Sequence, residues 1–182
     1  YTTAFDAIIG VNPKNEVKFN LNIPYLYENH TIPVIRNDGS LVFAGEDTIY
    51  AYSMNGERLW AYNSGKRTRN NSIAVGKEGN LYVTVNLHKL VVLNSQGELL
   101  WELEDESINS FISGFNLTFS PDGKTLYVPG VAAVDISNRK IKWVYESSTY
   151  KDIVVDSEGN LYFHENPSTS TGNRFVSLKP DG

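Results

Sequence analysis

The sequence has no cysteine, one methionine and three histidines among its 182 residues. Without cysteine there are no disulfides, no thiol nucleophile and no Cys-ligated zinc or iron–sulfur site. No apolar run approaches the ~20 residues that a membrane-spanning helix requires, so membrane insertion is not expected. A basic excess is also lacking: 16 Lys and Arg stand against 21 Asp and Glu, a net charge of -5. Nucleic acid and anionic membranes select basic surfaces and are poor candidates as partners. There is no Gly-x-Ser-x-Gly phrase and no Gly-rich phosphate loop. No segment shows helical periodicity; alternation at period two runs throughout. A cysteine-free all-β chain rich in Asn, Ser, Thr and Tyr suits an exported bacterial protein, placed outside the cell, on its surface or in the periplasm. The chain opens on Tyr1 rather than Met, so the lack of a signal peptide in these residues says nothing about export.

What the sequence does have is a repeat. Trp60, Trp101 and Trp143 close similar phrases, Asn55-Gly-Glu-Arg-Leu-Trp60, Gln96-Gly-Glu-Leu-Leu-Trp101 and Asn138-Arg-Lys-Ile-Lys-Trp143. Upstream, Asn15-Glu-Val-Lys-Phe19 is a further copy with Phe in place of Trp, and Lys179-Pro-Asp-Gly182 begins another. A second phrase alternates with the first: Asn37-Asp-Gly-Ser-Leu-Val-Phe43, Lys77-Glu-Gly-Asn-Leu-Tyr-Val83, Pro121-Asp-Gly-Lys-Thr-Leu-Tyr-Val128 and Ser157-Glu-Gly-Asn-Leu-Tyr-Phe163. Here a Gly-centred turn leads into an apolar and aromatic strand. The glycine fits a hairpin turn, which needs one residue at positive φ. A calcium loop is the weaker reading, because calcium takes six or more oxygen ligands and each phrase offers one or two carboxylates. A period of about 40–45 residues with short strands is that of propeller blades.

Four strands fit each repeat. In the second full copy these are Ser72–Val75, Leu81–Val85, Lys89–Leu93 and Glu98–Leu103, the first innermost and the last outermost. The expected fold is all-β: a β-propeller segment of four-stranded antiparallel blades, with three complete blades at about 33–62, 72–103 and 117–145. Two partial blades flank them, the last two strands of one at Asp6–Val11 and Glu16–Leu21, and the first three of another over Lys151–Leu178. Residues 1–182 then form either a single propeller domain or a stretch of a larger seven- or eight-bladed one. The longer ring is favoured, because closing a four-bladed ring would leave the opening strand pair partly redundant. In that case the remaining blades of the same chain are themselves partners.

The phrases ending at Trp60, Trp101 and Val134-Asp-Ile-Ser-Asn-Arg-Lys-Ile-Lys-Trp143 resemble the tryptophan-docking repeats of quinoprotein-like (PQQ-type) propellers. Ala133, Asp135, Lys140 and Trp143 fall in register with that family's closing phrase, although Asn138-Arg139 replaces Thr-Gly. Ser120-Pro-Asp-Gly-Lys-Thr-Leu-Tyr-Val128 is also similar to the repeat of surface-layer, YVTN-type and lactonase-like propellers. The likeness covers the whole chain and implies architecture. Phe19, Trp60, Trp101 and Trp143 are expected as structural plugs between blades, with the indole N–H reaching a neighbouring backbone carbonyl. For a buried large aromatic, truncation to Ala costs about 3–5 kcal/mol. Enzymes of the family hold pyrroloquinoline quinone with calcium, many with a vicinal cysteine pair. This chain has no such pair, and its loops do not gather the Asp, Asn, Glu and Arg set that would hold quinone and metal.

The expected function is therefore a non-enzymatic binding or scaffold module with no cofactor, no catalytic residues and no metal site. The blade-to-blade loops are the candidate contact surface, since rigid scaffolds carry binding residues there. They hold Tyr25, Tyr27, Arg67, Arg69, Phe111 and Tyr150, residue types favoured at contact hot spots. Such a rim suits a protein, peptide or glycan. The competing readings are a quinone-dependent alcohol or sugar oxidoreductase with its catalytic residues in other blades, and a propeller lyase or lactonase. His88 and His164, on neighbouring blades, could pair with Glu165 around a metal; the plainer reading makes both solvated loop residues.

Overall fold

The computed structural model of the chain describes residues 2–4, 7–22, 33–45, 47–65, 73–85, 88–108, 116–128, 131–145, 153–165, 172 and 174–182. These residues form strands and turns, with no helix among them. Five antiparallel sheets follow one another along the chain. The first holds β1 (Thr2–Ala4), β2 (Ala7–Val11) and β3 (Val17–Asn22). The second is β4 (Val34–Ile35), β5 (Leu41–Ala44), β6 (Thr48–Tyr52) and β7 (Arg58–Asn63). The third is β8 (Ile73–Val75), β9 (Leu81–Val85), β10 (Lys89–Leu93) and β11 (Leu99–Glu104). The fourth is β12 (Thr118–Phe119), β13 (Thr125–Val128), β14 (Ala132–Asp135) and β15 (Lys140–Val144). The fifth is β16 (Val154–Val155), β17 (Leu161–Glu165) and β18 (Arg174–Leu178).

Every sheet is a simple meander, each strand pairing with its neighbours in sequence. Three complete four-stranded blades lie where the repeat places them. The opening sheet differs from expectation: it has three strands rather than two, because Thr2 and Thr3 pair with Ile9 and Ile8. Both threonines are β-branched and suit the added strand.

Hairpin chemistry repeats with the strands. Between the first and second strands, Gly39, Gly79, Gly123 and Gly159 all sit at positive φ, between 76° and 90°. Each amide donates to the carbonyl three residues back, as Gly39 does to Arg36 at 2.8 Å and Gly79 to Gly76 at 2.9 Å. The turns between third and fourth strands follow suit with Gly56 and Gly97, while Asn15 and Arg139 take the same left-handed conformation without being glycine. Pairing between the last two strands slips by one residue in each of the first four sheets, between Gly10/Val11, Ala51/Tyr52, Val92/Leu93 and Ala133/Val134. A bulge there twists the outer strand, which blunts a free sheet edge.

The hydrophobic core is divided into four, one between each pair of neighbouring sheets. Ile8 meets Leu41 and Phe43 between the first and second. Val42, Ile49 and Ala51 meet Leu81, Val83 and Val91 between the second and third. Tyr82, Leu90 and Val92 meet Leu126, Val128 and Val134 between the third and fourth. Tyr127 and Ala133 meet Leu161 and Phe163 between the fourth and fifth. Alternate residues of each inner strand pair thus serve the blade before and the blade after, which is why these strands are apolar on both faces. Fully burying one such side chain contributes about 1.5–3 kcal/mol.

Candidate functional site

Antiparallel order fixes two ends to the stack of sheets. The turns joining first to second and third to fourth strands share one end. The connections between second and third strands, and from blade to blade, share the other.

Four of the turns at the first end share one device. A side-chain oxygen at the head of the turn accepts backbone amides two and four residues on, pinning the hairpin. Asn94 Oδ1 takes the amides of Gln96 and Glu98, both at 2.9 Å, and its Nδ2 donates to Glu98 Oε2 at 2.7 Å. Asn12 repeats this with Lys14 and Glu16, and Ser53 Oγ takes the amides of Asn55 and Glu57. Asp156 Oδ1 accepts from Glu158 and Asn160 at 2.9 Å, and its Oδ2 accepts from the Tyr162 hydroxyl at 3.0 Å. The Asn160 side chain, foremost, holds the Asp156 carboxyl below the usual carboxylate range, and that hydrogen-bonded carboxylate raises the Tyr162 hydroxyl. Asp38, Asp122 and Asp135 are lowered likewise, chiefly by Ser40, Ser120 and Asn138.

The recurrent aromatic residues dock at this end. Trp60 of the second sheet lies on the turn between β10 and β11, its Nε1 donating to the Ser95 carbonyl at 3.1 Å. Gly97 makes room: a Cβ there would come within 2.5 Å of the Trp60 ring. Trp143 repeats the contact on the last sheet, donating to the Pro180 carbonyl at 3.1 Å with Gly182 beneath its ring. Phe19 covers Gly56. Trp101 meets a different partner, the Arg139 guanidinium at 5.9 Å from its ring centre, and Tyr82 edge-on at 6.1 Å. Each of these rings lies against a residue of the following turn or blade, and each is half-buried rather than buried. They sit on outermost strands, where one side of the ring meets solvent. The truncation cost is accordingly set below the full-burial range.

Polar side chains also tie blades together at this end, and sequence reasoning missed them. Arg36, nearly buried, reaches from the second sheet to the third and donates to the same Ser95 carbonyl at 3.0 Å, while pairing with Asp38 at 3.2 Å. Lys77 bridges the third and fourth sheets through the Pro121 carbonyl at 2.8 Å.

The other end differs from sheet to sheet. Around the second sheet, Asp47 accepts from the Thr48 hydroxyl at 2.7 Å, and its carbonyl takes both the amide and the hydroxyl of Ser64 at 2.8 Å. At the third, His88 Nδ1 lies 3.2 Å from the Ile108 carbonyl, and Asp105 is held by Ser107, which lowers its pKa. At the fifth, Glu165 is buried at 3% exposure and holds the exposed Arg174 in an ion pair that raises the guanidinium. In the third sheet that buried position is Val85, so the glutamate replaces a core aliphatic. Comparing Leu81-Tyr-Val-Thr-Val85 with Leu161-Tyr-Phe-His-Glu165 would have revealed it. His164 is likewise no loop residue. It lies within β17, because pairing runs on to Glu165 and Arg174, and its Nδ1 is buried without a hydrogen bond. His88 lies in the turn before β10 of the third sheet and His164 within β17 of the fifth, so the two are not on neighbouring blades as expected. Among the described residues no three His, Asp or Glu side chains gather as a metal site.

Tyr25, Tyr27, Arg67, Arg69, Phe111 and Tyr150 lie outside the described residues. The innermost strands carry Val34, Ile35, Ile73, Ala74, Val75, Thr118, Phe119, Val154 and Val155. None has a carboxylate, amide or guanidinium, so these strands do not supply the donors that pyrroloquinoline quinone with calcium needs.

Residues 45–180 match the family model described as outer membrane protein assembly factor BamB. The chain belongs to this PQQ-like propeller family. No individual curated protein matches it in sequence. Among solved structures it is similar to virginiamycin B lyase from Staphylococcus aureus, at 15% identity and a TM-score of 0.69, over 96% of this chain and 63% of that one. It is similar to BamB from Moraxella catarrhalis at 14% identity and a TM-score of 0.64, over 86% of this chain and 51% of that one. Sqt1 from Saccharomyces cerevisiae matches at 14% identity and 0.65, over 96% and 63%. The chain thus spans between half and two thirds of these relatives. At such identities the likeness is one of fold.

Proposed function

We propose that the chain is a non-enzymatic binding or scaffold module of an exported bacterial protein, contacting a protein, peptide or glycan through its blade-to-blade end. One observation carries this reading. The hairpin end repeats from blade to blade a turn in which a closing amide donates to the carbonyl three residues back, whereas the opposite end presents different chemistry on the second, third and fifth sheets: Asp47 with Ser64, His88 with the Ile108 carbonyl, Glu165 with Arg174. A uniform scaffold with one individual face is the arrangement of a recognition surface. Membership in a family named for outer membrane protein assembly supports a place in the bacterial envelope and a protein partner. The six rim candidates, Tyr25, Tyr27, Arg67, Arg69, Phe111 and Tyr150, fall in the sequence between the last strand of one sheet and the first strand of the next, and are proposed as part of this surface.

The test is binding of the immobilised chain to panels of peptides and glycans. A genuine ligand loses affinity by about 10-fold or more when Arg67 and Arg69 are both changed to Ala, the loss expected for hot-spot arginines. Asn94→Ser, at the hairpin end, leaves binding unchanged. Equal losses from both variants, or none from the arginines, would place the contact elsewhere. The chemistry reading is tested separately. Pyrroloquinoline quinone with calcium is expected to leave the melting temperature unmoved and to support no dye-linked alcohol or sugar oxidation. A ligand of the native state must stabilise it, by about 2.7 kcal/mol at 100 times its Kd.

A further inference from the structure

The fourth sheet departs in charge from the sheets beside it. Over residues 116–145 it carries Lys124, Arg139, Lys140 and Lys142 against Asp122 and Asp135, in a chain whose net charge is -5. The sheets on either side hold more carboxylates than cations among their described residues. These cations gather at the tips of the two hairpins. Lys124 follows the first turn; Lys140 leaves the second and stands opposite Asp135, which itself stands opposite Thr125. Neighbouring strands lie about 4.8 Å apart, so the backbones at Lys124 and Lys140 are separated by about 10 Å. Lys77 joins them from the third sheet, its Nζ donating to the Pro121 carbonyl at 2.8 Å. All five cations are exposed, and none forms an ion pair among the described residues. What holds them is neutral. Arg139 lies over Trp101, Lys142 donates to the Thr125 hydroxyl at 3.2 Å, and Lys77 to a carbonyl. The two carboxylates are occupied as turn caps, Asp122 by the Ser120 hydroxyl and the Lys124 amide, Asp135 by the amide and side chain of Asn138.

We infer that these tips form a second contact surface, one that takes a short acidic segment of a protein partner. Cations held by neutral neighbours keep their charge for an incoming carboxylate, and those already fixed in place lose little freedom on binding it. The size of the patch selects the partner. An extended chain rises about 3.4 Å per residue, so three or four residues cover about 10 Å. Nucleic acid carries one charge per ~1.7 Å of its axis, and an anionic membrane spreads its charge over a broad surface. Either would run on over the neighbouring sheets and meet their carboxylates. A short acidic segment does not. This surface lies at the hairpin end and stands apart from the blade-to-blade reading above.

Fluorescence anisotropy tests it, with the 182-residue chain titrated into a fluorescein-labelled peptide of alternating Asp and Glu. Expected is saturable binding that weakens as salt rises from about 50 to 200 mM. Lys124→Gln combined with Lys140→Gln weakens it by about tenfold. Lys14→Gln combined with Lys18→Gln makes the same charge change at exposed residues of the first sheet, and shifts it by less than about twofold. The absence of saturable binding, or equal losses from the two pairs, would overturn the inference. Tighter binding of a single-stranded oligonucleotide or of phosphatidylglycerol vesicles than of the peptide would overturn it in favour of those partners.

Discussion

At the scale of single residues, the fold depends on a few positions where a side chain and a backbone conformation answer each other across two blades. Trp60 and Gly97 are one such pair, Phe19 and Gly56 another. Arg139 is the variation that explains the rule. It occupies the left-handed turn position at φ 54° that glycine takes elsewhere, and its guanidinium covers Trp101. Left-handed backbone costs a non-glycine residue about 1–2 kcal/mol, and a cation over an indole at a solvent-exposed site returns about 0.5–1. Arg139→Ala keeps the strain and loses the contact, so urea unfolding is expected to show a loss of about 0.5–1 kcal/mol. Arg139→Gly releases the strain but loosens the unfolded chain by about 0.4–1 kcal/mol, and comes out near the parent. An Ala variant as stable as the parent would remove the guanidinium–indole contact from the account. For Trp60, replacement by Phe keeps most of the ring and loses the N–H to Ser95, about 1 kcal/mol. Trp60→Ala removes a half-buried ring as well, about 2–4 kcal/mol, set below the fully buried case. Calorimetry of the two variants side by side separates packing from hydrogen bonding.

At the scale of elements, the hairpins are pinned by carboxylates with lowered pKa, and this makes them acid-sensitive. Asp38, Asp122, Asp135 and Asp156 each lie below the ordinary value in the folded chain. A carboxylate with a depressed folded pKa contributes stability that is present above its unfolded value, near 3.9. That contribution is lost as pH falls through the lower, folded value. The urea midpoint is therefore expected to hold level from neutral pH to about 5 and to decline below about 4. Asp156→Asn, which keeps the turn-capping oxygen as Asn12 and Asn94 do, shallows that decline. The groups are exposed, so each effect is small, and an unchanged slope in Asp156→Asn would show that the turn does not couple to folding. The hairpins were also the elements most legible from sequence. Glycine at a fixed offset before an apolar strand leaves one turn geometry, and β9 and β10 follow with the expected bounds. The first strand was not legible, because Thr2–Ala4 is three residues long and carries no turn signal ahead of it. The candidate site was less legible still. Glu165 and His164 become informative only when their places in β17 are set against the core residues of another sheet, and Arg36 only when Ser95 of the next blade is seen to lie within its reach.

At the scale of the whole molecule, the sheets form a series in which each buries a face against the next and the aromatic ring of one outer strand rests on the hairpin of the following blade. The four cores are separate, yet every internal sheet belongs to two of them. This explains why the fold reads so clearly from a repeat while the function does not: period and plug residues specify how blades join, and the recognition surface proposed above lies at the end that varies from blade to blade. The joining of blades is the central claim, and a double-mutant cycle between Trp60 and Gly97, residues of different sheets, tests it most directly. Gly97→Ala alone places a Cβ 2.5 Å from the indole at φ +82°, adding about 1–3 kcal/mol of overpacking to the backbone strain. In the Trp60→Ala background only the strain remains. The account predicts that the double variant is more stable than the sum of the single effects by about 1 kcal/mol or more; additivity within about 0.3–0.5 kcal/mol would contradict it.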